Sequence, residues 1–315
     1  MVFFVLSGYV IAFVADTKEA LLSEFALSRS VRILSVTVPA LLLTLLASII
    51  TDQDWRAKLF QIPLNAAFLG ESWSINIAPE DNPAYWSLCY EVWYYSIFAG
   101  FVFPKTGAGK IFWGSAMAVL AGPKILLLMP VWLMGVGLYK YRLLLRVPPT
   151  AAWALILGSV AAYGIFFWFD ISIAIREHIR LFAPRFVTYL TASNQFVGDN
   201  LLGVIVSSNF AAIASLAYRS KASPKPILAL MNAIAGFTLS LYLYHFPVII
   251  IAQHFGIVGG SGLLLVILIP VGLGYITELQ RFRLREYLRR LFRLKVSRTR
   301  IANALHEPLP AKITH

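Results

Sequence analysis

The sequence predicts an all-α fold: a polytopic helical bundle crossing a membrane with about nine spans. Three observations carry this prediction. Of 315 residues, 59% are hydrophobic and only 13% charged, about half the charged share of ordinary soluble domains. Mean hydropathy is +0.73. Apolar stretches of about 20 residues, the length a helix needs to cross a hydrocarbon core of about 30 Å, recur along the chain. A soluble globular enzyme is excluded by the shortage of polar surface.

The elements follow in order. A short apolar stretch opens the chain at 1–15; as a helix it rises about 22 Å, less than the hydrocarbon core. Spans are expected at 34–50 and 84–103. The region 111–139 is apolar but interrupted at Gly122-Pro123-Lys124, where glycine and proline favour a turn. Lys105 and Lys110 precede this region, and Lys140, Arg142 and Arg146 follow it. Basic loops prefer the cytoplasm, so an even number of crossings lies between them, a tight hairpin of two short spans. Spans at 151–169, 196–217, 237–253 and 257–276 complete the set.

The same rule places Lys18, Arg29 and Arg32 inside, the acidic connection 52–81 outside, and Arg219, Lys221, Lys225 and the C-terminal tail inside. The connection carrying Arg176, Arg180 and Arg185 then falls outside, the one exception. The division expected is a transmembrane domain at 1–276 and a basic cytoplasmic tail at 277–315. The net charge is +12, and the last 39 residues hold 10 Lys and Arg against 3 Asp and Glu, a net +7. From Arg281 to Arg300 basic residues alternate with Phe282, Leu284, Leu288, Leu291 and Phe292 at near-helical spacing. That pattern suits the anionic surface of a cytoplasmic leaflet, and no nucleic-acid partner is expected. The single cysteine, Cys89, allows neither an intrachain disulfide nor a cysteine metal cluster; no metal is expected.

Charged groups inside apolar spans cost roughly 2.5–3.5 kcal/mol on insertion scales and are functional candidates for that reason. Glu91 lies well inside the span 84–103, and helical spacing puts Ser87, Glu91 and Tyr94 or Tyr95 on one face. Such a carboxylate either accepts a proton and orients a reacting group or fixes helix packing through hydrogen bonds. His245 follows Thr238 and Tyr242 at i, i+4 and i+7. It serves as a base or donor, or bonds a neighbouring hydroxyl structurally. Pro247 is expected to kink or end this helix and to free backbone carbonyls. Arg29 and Arg32, at i and i+3 at the mouth of the span beginning near Ile33, either hold phosphates bidentately or anchor topology. Ser7-Gly8 reads, taken alone, as a small-residue packing site.

Four segments together resemble the membrane-bound acyltransferase family 3, integral-membrane O-acyltransferases that decorate bacterial surface polysaccharides and related acceptors. Phe3-Phe4-Val5-Leu6-Ser7-Gly8-Tyr9-Val10-Ile11 is similar to the family's second-span signature. Arg29-Ser30-Val31-Arg32 matches its cytoplasmic Arg-x-x-Arg, and Trp86-Ser87-Leu88 through Glu91 its Trp-Ser-Leu-x-x-Glu. Ser240-Leu241-Tyr242-Leu243-Tyr244-His245-Phe246-Pro247 matches its late Ser-Leu-Tyr-Leu-x-His segment.

The resemblance implies transfer of an acyl group, most simply acetyl, from cytoplasmic acyl-CoA to a hydroxyl of an extracytoplasmic carbohydrate or glycolipid. It also implies an inner (plasma) membrane location with a cytoplasmic C-terminus. Arg29 and Arg32 would grip the phosphates of the donor. Glu91 and His245 would support catalysis, and Ser7, Ser87 and Tyr242 would line the cavity. The family pattern has ten spans, and its first span carries the histidine regarded as the catalytic base. Met1 aligns with the start of the second span, so a preceding span with that histidine is expected upstream. The alternative is a proton-coupled or solute transporter built around Glu91 and His245.

Overall fold

The computed structural model describes residues 1–291 except 20, 52–54, 78, 80–81, 142–146 and 220–224. Among them all regular structure is helical: α1 (Val2–Thr17), α2 (Leu22–Ile50), α3 (Trp55–Ala66), α4 (Tyr85–Val102), α5 (Gly107–Ala121), α6 (Pro123–Lys140), α7 (Pro149–Trp168), α8 (Ile171–Phe182), α9 (Pro184–Leu190), α10 (Phe196–Arg219), α11 (Lys225–His254) and α12 (Gly259–Leu291). A 3-10 turn, Thr191–Ser193, joins α9 to α10. By length and composition five helices are apolar enough to cross a membrane: α2, α6, α7, α10 and α12. The protein is therefore a multi-pass membrane protein. The outward faces agree: Trp153, Leu157, Val160 and Trp168 of α7 and Leu263, Leu264 and Leu268 of α12 are exposed, as lipid-facing side chains must be.

The break expected within 111–139 is present and divides it into α5 and α6; of the two, α6 is long and apolar enough to cross a membrane. Thr106 caps α5 by accepting a hydrogen bond from the Gly109 N–H at 3.1 Å. Gly122 ends it at φ +87°, a conformation that favours glycine. Pro123 then starts α6, where its missing N–H costs nothing.

Three boundaries differ from expectation. The helix expected from residue 34 begins at Leu22, so Arg29 and Arg32 sit within α2 rather than in a loop at its mouth. The helix carrying Pro247 does not end there but continues to His254, one residue past the span expected at 237–253, and it starts earlier, at Lys225. The last apolar span ends at Thr277, close to the expected 276, but its helix runs on as α12 to Leu291. Arg142, Arg146, Lys221 and the tail from 292 onward lie outside the described residues, and with them the part of the amphipathic pattern from Phe292 to Arg300. The exceptional connection with Arg176 and Arg180 is the amphipathic helix α8. There Arg176 and Arg180 pair with Glu177 at 2.8 and 3.5 Å, which lowers the charge this segment presents.

α1 packs along α6; α10 sits against α6 and α7; α2 against α11 and α12; α4 against α5. The α1–α6 seam is unusually close. A Cβ added at Gly8 would lie 2.0 Å from the Trp132 carbonyl oxygen, and one added at Gly135 would lie 1.9 Å from that of Val5. Only glycine lets the two backbones approach this far, as in small-residue contacts between membrane helices.

Candidate active site

α4 is buried around most of its circumference: Tyr85, Ser87, Leu88, Cys89, Tyr90, Glu91, Tyr94, Tyr95, Ile97, Phe98 and Ala99 are all shielded. A helix with no broad lipid-facing stripe can carry polar groups, provided each finds a partner. Glu91 finds them. The Ser7 hydroxyl of α1 donates to its Oε1 at 2.7 Å, and the Tyr95 hydroxyl, one turn further along α4, donates to the same oxygen. Trp132 of α6 donates its indole N–H to the Ser7 Oγ at 3.2 Å. Sequence spacing left Tyr94 and Tyr95 as alternative neighbours of Glu91. The structure selects Tyr95, while the Tyr94 hydroxyl donates to the Ile125 carbonyl at 3.0 Å.

Ser7 Oγ, Tyr95 Oη and Glu91 Oε1 form a triangle whose third edge, Ser7 to Tyr95, is 3.2 Å. With Glu91 ionised, both hydroxyl protons point at Oε1 and that third edge holds none. One added proton completes the ring: carboxyl to Tyr95, Tyr95 to Ser7, Ser7 to carboxyl. The cluster can take up a proton and leave no polar edge unsatisfied, which a buried acid–base group requires.

Arg29 and Arg32 lie three positions apart on α2. Arg29 pairs with Glu19 at 3.2 Å and contacts Ser28 at 3.0 Å, while its Nη1 is closed off without a hydrogen-bond partner. One turn along α4 in the other direction from Tyr95, Ser87 meets the Tyr242 hydroxyl at 2.9 Å, and the Tyr242 ring stacks on Phe3 at 6.1 Å. Thus α1, α2, α4, α6 and α11 all contribute to one region. His245 does not reach the Glu91 triangle. Its Nδ1 turns back on its own helix, 2.7 Å from the Tyr242 carbonyl.

Pro247 has no N–H to offer the Leu243 carbonyl one turn earlier. The Asn82 side-chain amide takes that place, donating to the Leu243 oxygen at 2.9 Å. This replacement is why α11 continues through the proline: the freed acceptor is satisfied from outside the helix.

Sequence reasoning missed three contributors. Trp132 and Asn82 carry no local pattern that marks them. Lys124 was read only as part of a turn, yet it is 1% exposed and lies 3.4 Å from Glu71, itself 2% exposed. The Lys124 ammonium also donates to the Ile75 carbonyl at 2.7 Å, and Thr191 donates to Glu71 at 3.2 Å. Burial pushes the Glu71 carboxyl above its ordinary range against the opposing attraction of Lys124. This pair ties the segment after α3 to the start of α6 and serves the scaffold rather than the Glu91 region. Among the described residues no group of three or more His, Cys, Asp and Glu side chains is placed to hold a metal ion.

A search of curated proteins and of solved structures finds no match. The profile of acyltransferase family 3, described as an acyltransferase domain, matches residues 1–277, which takes in Ser7, Arg29, Arg32, Glu91, Tyr95, Trp132 and Tyr242. The chain belongs to acyltransferase family 3.

Proposed function

We propose that this acyltransferase moves an acyl group, acetyl in the simplest case, from acyl-CoA to a hydroxyl of an extracytoplasmic carbohydrate or glycolipid. The observation that carries the reading is the Glu91 carboxyl held by Ser7 and Tyr95 inside the bundle. In this reaction the acceptor oxygen attacks the thioester carbonyl, a C–O bond forms, the C–S bond breaks, and the acceptor's proton ends on the departing thiol. Glu91 assists that proton's passage, with the Ser7 and Tyr95 hydroxyls adjusting around it. Arg29 and Arg32 hold the donor's phosphates, their planar forks suited to bidentate contact. Tyr242 and Ser87 border the acceptor's path, and His245 stands beside them.

In this reading the arginine end of α2 and the C-terminal tail face the cytoplasm of a bacterial inner membrane. The basic tail lies on anionic lipid. The decisive experiment incubates membranes holding the protein with radiolabelled acetyl-CoA and a panel of surface glycans. Label appearing in an ester of the glycan, and free CoA released in equal amount, supports the reading. Solute or proton flux in proteoliposomes without acyl-CoA, and no label transfer, would replace it with a carrier.

A further inference from the structure

A cavity of about 630 Å³ opens between α2, α4 and α5, well within the range of small-molecule sites, about 300–1,000 Å³. Phe25, Ile33, Val92, Phe103, Trp113 and Met117 give it apolar walls. Among the described residues that line it Arg29 is the one charged side chain, and it is paired with Glu19 at 3.2 Å. Tyr95 also lines it, and the hydroxyl of that same side chain donates to Glu91. The cavity therefore has a cationic residue in its wall, an apolar interior, and a wall shared with the Glu91 cluster. A two-carbon acyl group fills only a small part of such a space.

We propose that this cavity holds the alkyl chain of a medium- or long-chain acyl donor, with the donor's anionic part at Arg29 and its thioester toward Tyr95. The inference rests on the donor reading above and narrows it to acyl groups longer than acetyl. An alkyl chain with an anionic head matches the arrangement in both parts: burying each methylene strengthens binding about fourfold, and the Arg29 guanidinium, beside its pair with Glu19, supplies the cationic contact for the head. A neutral sugar acceptor matches neither, because the lining offers its hydroxyls few polar groups.

The test measures acetyl-CoA and octanoyl-CoA binding to the purified protein in nanodiscs of neutral phosphatidylcholine, with empty discs subtracted. Two variants narrow the cavity. Ala26→Trp changes an exposed residue on one wall, and Met117→Trp changes a residue on another; thermal unfolding shows which remains folded. Octanoyl-CoA binding at least about tenfold tighter than acetyl-CoA, with the advantage lost in a folded variant and acetyl-CoA affinity unchanged, supports the proposal. Equal affinities in the parent protein overturn it while leaving acyl-CoA as donor. Loss of the octanoyl advantage on moving to anionic phosphatidylglycerol discs also overturns it, by showing that the cavity seats bilayer lipid. Failure of either ester to bind removes the donor reading itself.

Discussion

The Ser7 hydroxyl and the Glu91 carboxyl meet at 2.7 Å across 84 positions of sequence. The indole of Trp132 backs the serine from a third helix. A carboxyl placed this deep among apolar helices is tolerable only because these donors reach it. The same donors leave it able to exchange a proton.

Glu91→Gln separates the two roles. The amide oxygen still accepts from Ser7 and Tyr95, so the helices stay packed, but the exchangeable proton is gone. Acyl transfer should fall by about 100-fold or more with little change in the unfolding temperature of the detergent-solubilised protein. Wild-type transfer by this variant would reduce Glu91 to a packing residue.

Arg29→Ala combined with Arg32→Ala should weaken acetyl-CoA binding by at least about tenfold, since each charge-assisted hydrogen bond contributes about 1.5–3 kcal/mol. Isothermal titration checks it. Unchanged affinity would confine both arginines to anchoring α2.

Gly8→Ala should be far more damaging than its single added methyl suggests. That methyl carbon would stand 2.0 Å from the Trp132 carbonyl oxygen, and backbone cannot yield as a flexible side chain does. Overpacking of this kind costs about 1–3 kcal/mol, and displacing α1 also moves Ser7 away from Glu91. Both the midpoint of thermal unfolding and transfer should drop together. Gly158→Ala on α7, where nothing lies within contact of the new carbon, is the matched control.

Lys124→Met strands Glu71 in a buried site, and breaking such a pair costs about 3–5 kcal/mol. Adding Glu71→Gln should recover much of that loss. The deficit also depends on pH. Burial already raises the Glu71 carboxyl, and removing the ammonium raises it further. A folded-state value above the unfolded one contributes stability at low pH that disappears as pH climbs through it. Lys124→Met should therefore lie closer to wild type at about pH 5 than at about pH 8 in denaturation series.

Asn82→Ala should cost about 1–3 kcal/mol by leaving the Leu243 carbonyl unpaired. In a Pro247→Ala background the helix regains its own N–H for that carbonyl, and the cost of Asn82→Ala should shrink. A double-mutant cycle on unfolding free energies measures the difference. Equal costs in both backgrounds would show that Asn82 matters for another reason.

The local parts of this architecture could be read from the chain. Helical periodicity put Ser87, Glu91 and a tyrosine of the same helix on one face, and Gly122-Pro123 marked the α5–α6 hinge. The carbonyl freed by Pro247 was also foreseeable, because proline's missing donor is a property of the residue itself. Its partner was not, since Asn82 sits in a connection far away in sequence. Ser7 reads as a small packing residue because its neighbour Gly8 is one, and only the close α1–α6 approach brings its hydroxyl under Trp132. The extension of α2 back to Leu22 escaped hydropathy for a simpler reason. Charged residues such as Arg29 and Arg32 depress an apolar average although they are good helix formers.

The partners of Glu91 also impose an order on synthesis. Ser7 leaves the ribosome before Glu91, and Trp132 follows Glu91 by 41 residues, a delay of about 2–8 s at ordinary elongation rates. During that interval Ser7 and Tyr95 are the donors to Glu91 already synthesised. The glycine seam that brings Trp132 against Ser7 can close only afterwards, over a carboxyl whose other two donors are already synthesised.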